Sequence, residues 1–481
     1  MKTKRNLKSR IIIVVTCVFL FSTSANAQFL RTSYFMEGNQ YRMQLNPALM
    51  PTRGYLNVPV VGAFNVAVNS NTLGTKDVID IFKDNSDFLH NQDFLSKLND
   101  NNNINISLNA DFISLGWYDK NKSFWSFNIG EKMDIGATVR KSMFNFLDEV
   151  TQDNYEFNGS KQYAIGDQAF NLNAFTEIGF GYAHNINEIL TIGGKAKLLL
   201  GTARAKMTIQ NIDIDYNLPE DYNTITPATK DLYHAKLNVN STLETNAEGL
   251  EWKESTNTSG SYISGVDYNY NKPGFSGYGA AIDFGASVKL GNFNFSAAVL
   301  DLGYINWTSS SCKDATSTVS VDFEGKDYEY SQAGAESMKQ DIQDYEDRIN
   351  GDNILNSDLL GLRKTTDVQA RKTKLNMSAV GGASYTLGNS LTLGALYTAR
   401  FVEPKTQKEV TLSANLHPAN WFNLTFSYSA IQSYGKSFGL GVKLGLLFIG
   451  TDYMYFGDNS NAVNAYFGMS IPIGRSKNSR N

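Results

Sequence analysis

The sequence predicts an all-β chain: a transmembrane antiparallel β-barrel of about 14 strands, with an N-terminal plug and partly helical extracellular loops. Three observations predict it. The chain opens with an export leader, it contains many segments of ten or more residues that alternate apolar and polar, and its connections alternate between tight and long.

The leader comes first. Lys2, Lys4, Arg5, Lys8 and Arg10 form a positive flank, "IIIVVTCVFLF" (Ile11 to Phe21) is apolar, and "STSANA" ends in a small-residue cleavage site before Gln28. Residues 1–27 therefore read as a secretory signal peptide, too short for a spanning helix. Cys17 lacks the small residues that precede a lipidated cysteine. Cleavage leaves only Cys312, so no intrachain disulfide is expected. The four histidines (His90, His184, His234, His417) are scattered, and no CxxC or HExxH spacing occurs, so neither metal nor cofactor is expected. A formal charge of −4 with no basic run beyond a short tail argues against a nucleic-acid partner.

The mature length of about 450 residues would suit two or three soluble domains, yet no Pro/Ser-rich linker divides it. Aromatics make up 12% and mean hydropathy is −0.30. Both a soluble β protein and a barrel, whose lumen and loops dilute its apolar face, fit these values. The alternation decides between them. "KEVTLSANLHP" sets Val410, Leu412, Ala414 and Leu416 against Glu409, Thr411, Ser413 and Asn415. "WFNLTFSYSAI" sets Phe422, Leu424, Phe426, Tyr428 and Ala430 against Asn423, Thr425, Ser427 and Ser429. "SFGLGVKLGLLF" places Phe438 through Phe448 on one face and Gly439, Gly441, Lys443 and Gly445 on the other. "AAIDFGASVKL" opposes Ile282, Phe284 and Val288 to Asp283, Ser287 and Lys289. Strands this long match a tilted membrane crossing, and Gly, Ser, Thr and Asn on the second face suit a wet lumen.

In order, the strands fall at roughly 55–69, 104–116, 123–140, 174–184, 189–215, 275–290, 292–307, 374–387, 391–402, 408–417, 421–431, 436–448, 450–457 and 462–473. Tight connections ("YDKNK" 118–122, "NINE" 185–188, Gly291, "GNS" 388–390, "PAN" 418–420) alternate with long loops at about 70–103, 141–173, 216–274 and 308–373. Short periplasmic turns and long outer loops are the outer-membrane pattern, and an even count returns the wall to the periplasm at both ends. Within 216–274, "HAKLNVNSTLE" reads either as a loop hairpin or as a further strand pair. Helical spacing appears in "TKDVIDIFKDNSDFLHNQDFLSKLND" and "AESMKQDIQDYEDRINGDNILNSDLLGL". Trp117, Tyr118, Phe124, Trp125, Trp307, Trp421 and Phe422 cluster at strand ends, as interfacial aromatic girdles do.

The segment "YRMQLNPALMPTRGYLNVPV" (Tyr41 to Val60) holds Pro47, Pro51, Pro59 and Gly54. A plug must cross the lumen without joining the wall, and prolines remove the donors that would let it pair. Residues 28–52 are therefore expected to form the plug, 53–474 the barrel and 475–481 a periplasmic basic tail.

Asn46, Pro47 and Ala48, soon after the mature start and just before the first strand, resemble the hatch segment of the long-chain fatty-acid transporters, the FadL-like barrels, which have fourteen strands. The type IX secretion barrels PorV and PorQ look like relatives. "LNPALMPTRGYLNVPVVG", "MFNFLDEV", "TEIGFGYAHNINEILTIGGKAKLLLGTARA", "AIDFGASVKL" and "LDLGYINWTSS" together resemble an exported barrel family of unknown function across almost the whole mature chain. The resemblance implies a hatch at Asn46–Ala48 and no other functional residue. The chain departs from better-known barrels after Ile473, where "GRSKNSRN" replaces a terminal aromatic.

The function expected is an outer-membrane barrel that binds or transports a hydrophobic or amphipathic small molecule. The alternative is a non-transporting barrel acting as a docking or structural component of an envelope secretion or surface-assembly complex. Partners would accordingly be outer-membrane lipid, a hydrophobic small-molecule ligand, or an envelope or exported protein. Lumen candidates are Asp134, Lys195, Lys197, Asp283, Lys289 and Lys443, whose mixed signs suit a closed lumen better than an ion selector. Catalysis would need a Ser–His pair around His184 or His417, and neither has a convincing acid or nucleophile near it in sequence, so no enzyme is expected.

Overall fold

Alternation of period two places successive side chains on opposite faces, so a closed sheet built from these segments has one polar and one apolar surface. The computed structural model describes residues 31–36, 38–58, 63–72, 74, 88–119, 123–152, 155–257, 260–269, 274–349, 357–366, 368–402, 406–431, 437–453 and 461–474. The predicted leader, the first part of the helical reading in loop 70–103, the end of the 450–457 strand and the basic tail lie outside them.

Helix α1 (Arg31–Tyr34) and a 3-10 turn (Gln40–Gln44) precede the first strand, which comes in two pieces, β1 (Gly54–Asn57) and β2 (Ala63–Ser70). After α2 (Gln92–Lys97) come β3 (Asn101–Asp119), β4 (Ser123–Arg140), α3 (Lys141–Val150), β5 (Gly159–Ile165), β6 (Gln168–Asn185) and β7 (Leu190–Leu218). Next are β8 (His234–Ala247), β9 (Leu250–Asn257), β10 (Gly260–Tyr268), β11 (Gly277–Leu290), β12 (Phe293–Trp307) and β13 (Cys312–Glu324). Helices α4 (Gln332–Ile349) and α5 (Ser357–Leu360) lead to the short β14 (Arg363–Lys364) and β15 (Arg371–Lys374). The chain ends on β16 (Ser378–Leu387), β17 (Leu391–Arg400), β18 (Gln407–Ala419), β19 (Phe422–Ile431), β20 (Ser437–Leu444), β21 (Leu447–Thr451) and β22 (Ala462–Ile473).

The wall is a closed antiparallel barrel of 14 strands: β1/β2 counted as one, then β3, β4, β6, β7, β11, β12 and β16 to β22. It closes where Gly54 and Phe64 pair with Ile473 and Phe467 on one side while Tyr55 and Phe64 pair with Gly116 and Ala110 on the other. Along β18, Leu412 and Leu416 are exposed while Thr411 and Asn415 are buried, and β19 repeats this with Phe426 outside and Thr425 inside. Phe180, Leu198, Phe284 and Ile449 extend the exposed apolar belt around the wall. Apolar outside and polar inside is the inverse of a water-soluble core, and it makes this a membrane-spanning barrel.

β7 has 29 residues, about 95 Å of extended chain, far more than a bilayer requires. Its first half pairs with β6 and β11 in the wall; β8 takes the place of β11 from Ala203, and β5 that of β6 from Ile212. β8 continues to β13, so the sheet rises out of the wall at the long-loop end and carries a core of its own. On α4, Ala335, Met338, Ile342, Tyr345 and Ile349 recur at helical spacing and bury against Ile214, Leu237 and Val239.

Several expectations need correction. Within 216–274 the "HAKLNVNSTLE" stretch is neither a loop hairpin of its own nor an extra wall pair: it is β8 of the cap sheet, paired with β7 and β13, and the hairpin in this region is β9 with β10. The predicted strand 436–448 is two strands, turning at Gly445 with φ +59. Leu444, Leu446 and Leu447 carry apolar character through that turn, which hid it, and Phe448 consequently faces inward between Tyr41 and Tyr466. The predicted 374–387 strand breaks at 375–377, opposite Asp301, whose φ is +58. Helix α3 was not expected; Phe146, Leu147 and Val150 anchor it in the cap. Trp117 and Trp421 are exposed beside the short turns as a girdle requires, whereas Phe124 and Trp307 are fully buried, facing inward.

Candidate functional site in the barrel lumen

Short polar residues and glycines facing inward leave a hollow that water or protein must fill. The chain's own N-terminal segment fills much of it, starting near the long-loop ends of β18 and β21 and running toward the short turns. Arg31, Thr32 and Ser33 are fully enclosed, and Arg31 pairs with Glu409 at 2.7 Å while its guanidinium lies 4.7 Å from the centre of the Tyr453 ring. The Thr32 amide donates to Asp452 at 2.8 Å, the Asn415 side chain donates to the Phe35 carbonyl at 2.9 Å, and Lys443 donates to the Gly38 carbonyl at 2.7 Å. These anchors all lie on the side of the wall running from β18 to β22. A buried cation needs such a partner, because without one its desolvation is uncompensated.

The sequence-predicted hatch lies farther toward the short turns. Asn46 Nδ2 donates to the carbonyls of Ala286 and Ala297 at 3.2 and 3.1 Å, and Asn46 Oδ1 accepts the Ala48 amide at 2.9 Å. Two wall glycines make room for it. A methyl group at Gly193 would come within 2.5 Å of the Pro47 carbonyl carbon, and one at Gly285 would strike the Asn46 side chain. At the short-turn end, Tyr118 donates to the Pro51 carbonyl, and Tyr55, Phe124 and Ala183 pack with Met43 and Met50.

On the opposite side of the lumen, β3, β4, β6, β7, β11 and β12 contribute a charged cluster. Lys195 meets Glu177 at 2.5 Å, and Lys197 meets Asp283 at 2.7 Å and Asp301 at 2.6 Å. Lys132 bridges Glu177 and Asp301, and Arg400 pairs with Asp134 at 2.6 Å. The Asp283 carboxylate also accepts the Asp301 amide at 2.8 Å. Gln44 of the inserted segment reaches this cluster through Asp111 at 2.9 Å.

Of the sequence-predicted lumen residues, Lys195, Lys197 and Asp283 come together in this cluster, and Asp134 joins its rim through Arg400. Lys443 lies apart, against the inserted segment. Lys289 departs from expectation: it has inward parity but sits at the exposed short-turn end of β11, outside the cluster. Sequence reasoning missed Lys132, Glu177, Asp301, Asp111 and Arg400. Lys132 shares the parity of Asp134, and Glu177 shares that of Gly179 and Gly181, so both were legible; Asp301 was hidden by the bulge that brings it inward. His184 and His417 bond Ser123 and Thr392, both at 2.9 Å, near the short turns; no carboxylate joins either pair among the described residues.

Above the cluster lies a chamber of about 1270 Å³, bounded in part by Asn105, Asn171, Leu172, Asp301, Tyr304 and Arg400. Apolar and hydrogen-bonding groups share its lining.

Fold and site together define a membrane β-barrel whose amino-terminal segment lies inside its own lumen. By sequence the chain belongs to the Family of unknown function (DUF5723), whose model matches residues 47–452. No curated protein matches it. Among solved structures, the Ralstonia pickettii toluene transporter TbuX is 9% identical with TM-score 0.38, covering 91% of this chain and 94% of that one. The P. putida toluene transporter TodX is 10% identical with TM-score 0.39, covering 91% and 95%. The translocator domain of autotransporter NalP from Neisseria meningitidis is 8% identical with TM-score 0.31, covering 88% and 89%.

Proposed function

We propose that the protein is an outer-membrane channel that admits an amphipathic small molecule to the chamber above its inserted segment, with residues 28–52 acting as the plug. In this reading the short turns face the periplasm and the cap faces the outside. One observation carries it: a chamber of about 1270 Å³ lies inside a closed wall, and a segment of the same chain occupies most of the lumen between it and the short turns. A cavity of that size accommodates a drug-sized ligand, and its mixed lining suits a molecule with both apolar and polar parts. The wall's hydrogen bonds close without the segment, so deleting residues 28–52 should leave a barrel that assembles and shows heat-modifiable migration. Single-channel conductance in planar bilayers should rise. Unchanged conductance from a correctly folded deletion variant would defeat the plug reading.

A second reading draws on the cap. A sheet with its own buried core beyond the wall is more than a channel mouth requires, and it suits a barrel that docks an envelope or exported protein. Binding of a labelled fatty acid by the purified barrel, set against recovery of envelope partners by pull-down, separates the two.

A further inference from the structure

The inserted segment is held unequally by its two sides. Against β18 to β22 the packing is close: Asn415, Asn423 and Thr425 are enclosed and bonded to one another or to the segment, and the cavity between Tyr41, Phe448 and Tyr466 is only about 10 Å³. Against β3, β4, β6 and β7 there is space above the contacts of Pro47 with Gly193 and of Pro51 with Tyr118. A cavity of about 80 Å³ shares Asp134, Asp301 and Arg400 with the chamber and is lined below by Lys132, Glu177 and Lys197. A second, of about 40 Å³, shares Gln44, Asp111, Asn128 and Lys195 with the first and extends to Tyr55, Ser114 and Ser126. At roughly 10–15 Å³ per molecule, each has room for a few waters. Three spaces thus adjoin in series, from the chamber down one side of the lumen, and end at the apolar contact of Met43 and Met50 with Tyr55 and Phe124.

We infer that this is a polar side passage, sized for water and small ions, which opens between the segment and the β3–β7 wall while the segment stays bound to the β18–β22 wall. The inference rests on the proposed plug and adds where the plug yields. Gln44 on Asp111 is the latch, and Met43 with Met50 is the seal. Five carboxylates (Asp111, Asp134, Glu177, Asp283, Asp301) face four cations (Lys132, Lys195, Lys197, Arg400) along the passage, so when open it favours cations.

The test tethers the segment to the wall that holds it. In a chain starting at Gln28 with Cys312→Ser, Thr32→Cys and Ser427→Cys replace two hydroxyls 2.8 Å apart, positions a disulfide can join. Met43→Ala and Gln44→Ala are then added; both lie in the segment, so the wall can still assemble. With potassium chloride as the probe, planar-bilayer conductance should rise severalfold over the tethered parent. It should be the same oxidised or reduced, with a reversal potential displaced toward that of potassium. Conductance that appears only on reduction, or none in either state, overturns the side passage. The 28–52 deletion runs alongside. If it conducts while the tethered variant is silent, the passage fails and the plug survives; if the deletion is itself silent, the plug reading fails.

Discussion

Replacing Asn46 by Ala removes a side chain that ties the bend of the inserted segment to the wall. Three hydrogen bonds go with it, two to wall carbonyls and one from the Ala48 amide. At about 1 kcal/mol net for each, the lodged state loses about 3 kcal/mol. That shifts the balance between lodged and released segment roughly 100-fold, since 1.4 kcal/mol is tenfold. The change should not touch the wall, because β11 and β12 remain paired through thirteen residues of register without Asn46. Trypsin under native conditions reads the result. Arg42 is part-covered inside the lumen, so the Arg42–Met43 bond becomes cleavable when the segment leaves. When release is fast relative to cleavage, cutting there should accelerate roughly 100-fold, following the population of the released form. Heat-modifiable migration should be unchanged. Pro47→Ala should act in the same direction but more weakly, because it loses backbone restriction and the ring's contact beside Gly285 rather than three bonds. Cleavage of Asn46→Ala at the wild-type rate, with the barrel folded, would refute the reasoning. So would loss of the barrel itself, which would make Asn46 part of wall assembly.

The topology is exposed to thiol labelling. Cysteines at Asn187, Asn389 and Ala419, beside the short turns, should resist an impermeant reagent on intact cells, and ones at Asn101, Ser255 and Asp344 should react, all in a Cys312→Ser background; labelling of both sets alike would sink the orientation. Leu424→Arg on the lipid-facing side of β19 should cost the barrel about 2–4 kcal/mol. Thr425→Arg should leave the wall assembled but expel the segment, because Thr425 is enclosed and bonded to Asn415, which holds Phe35; if its Arg42–Met43 bond stays protected, the inward packing has been misread.

The wall was legible because burial on one face imposes period two, and nothing in β18, β19 or β22 competes with that signal. It failed where a physical exception intervened. Asp301 takes a positive φ that carries two successive residues inward, so counting parity through β12 assigns the wrong face above it. The Gly445 turn has apolar residues around it and no polar punctuation. The cap was illegible for a different reason: β5, β8 and β13 pair across long sequence separations, and no local pattern says whether a strand belongs to the wall or to a sheet above it. For the site, the charged lumen residues were found where they lay on unbroken strands, and their partners were missed because the register between neighbouring strands, and for Arg400 with Asp134 the closure of the barrel, sets the pairing.

The inward face was expected to be wet, on the ground that Gly, Ser, Thr and Asn tolerate water. Yet water asks nothing of residue size, and the positions of the glycines are better explained by what lies opposite them. Added methyl groups at Gly382, Gly394 and Gly441 would collide with Tyr34, Phe35 and Met36 in turn, and those at Gly285 and Gly193 would collide with Asn46 and Pro47. Large residues of the segment thus meet the smallest residues of the wall, as knobs meet holes in any close-packed interior. A lumen evolved only for solvent would have no reason to place glycine opposite each of these groups. The wall sequence therefore carries an imprint of the segment, and substituting any one of these glycines perturbs the lodged segment before it perturbs the barrel.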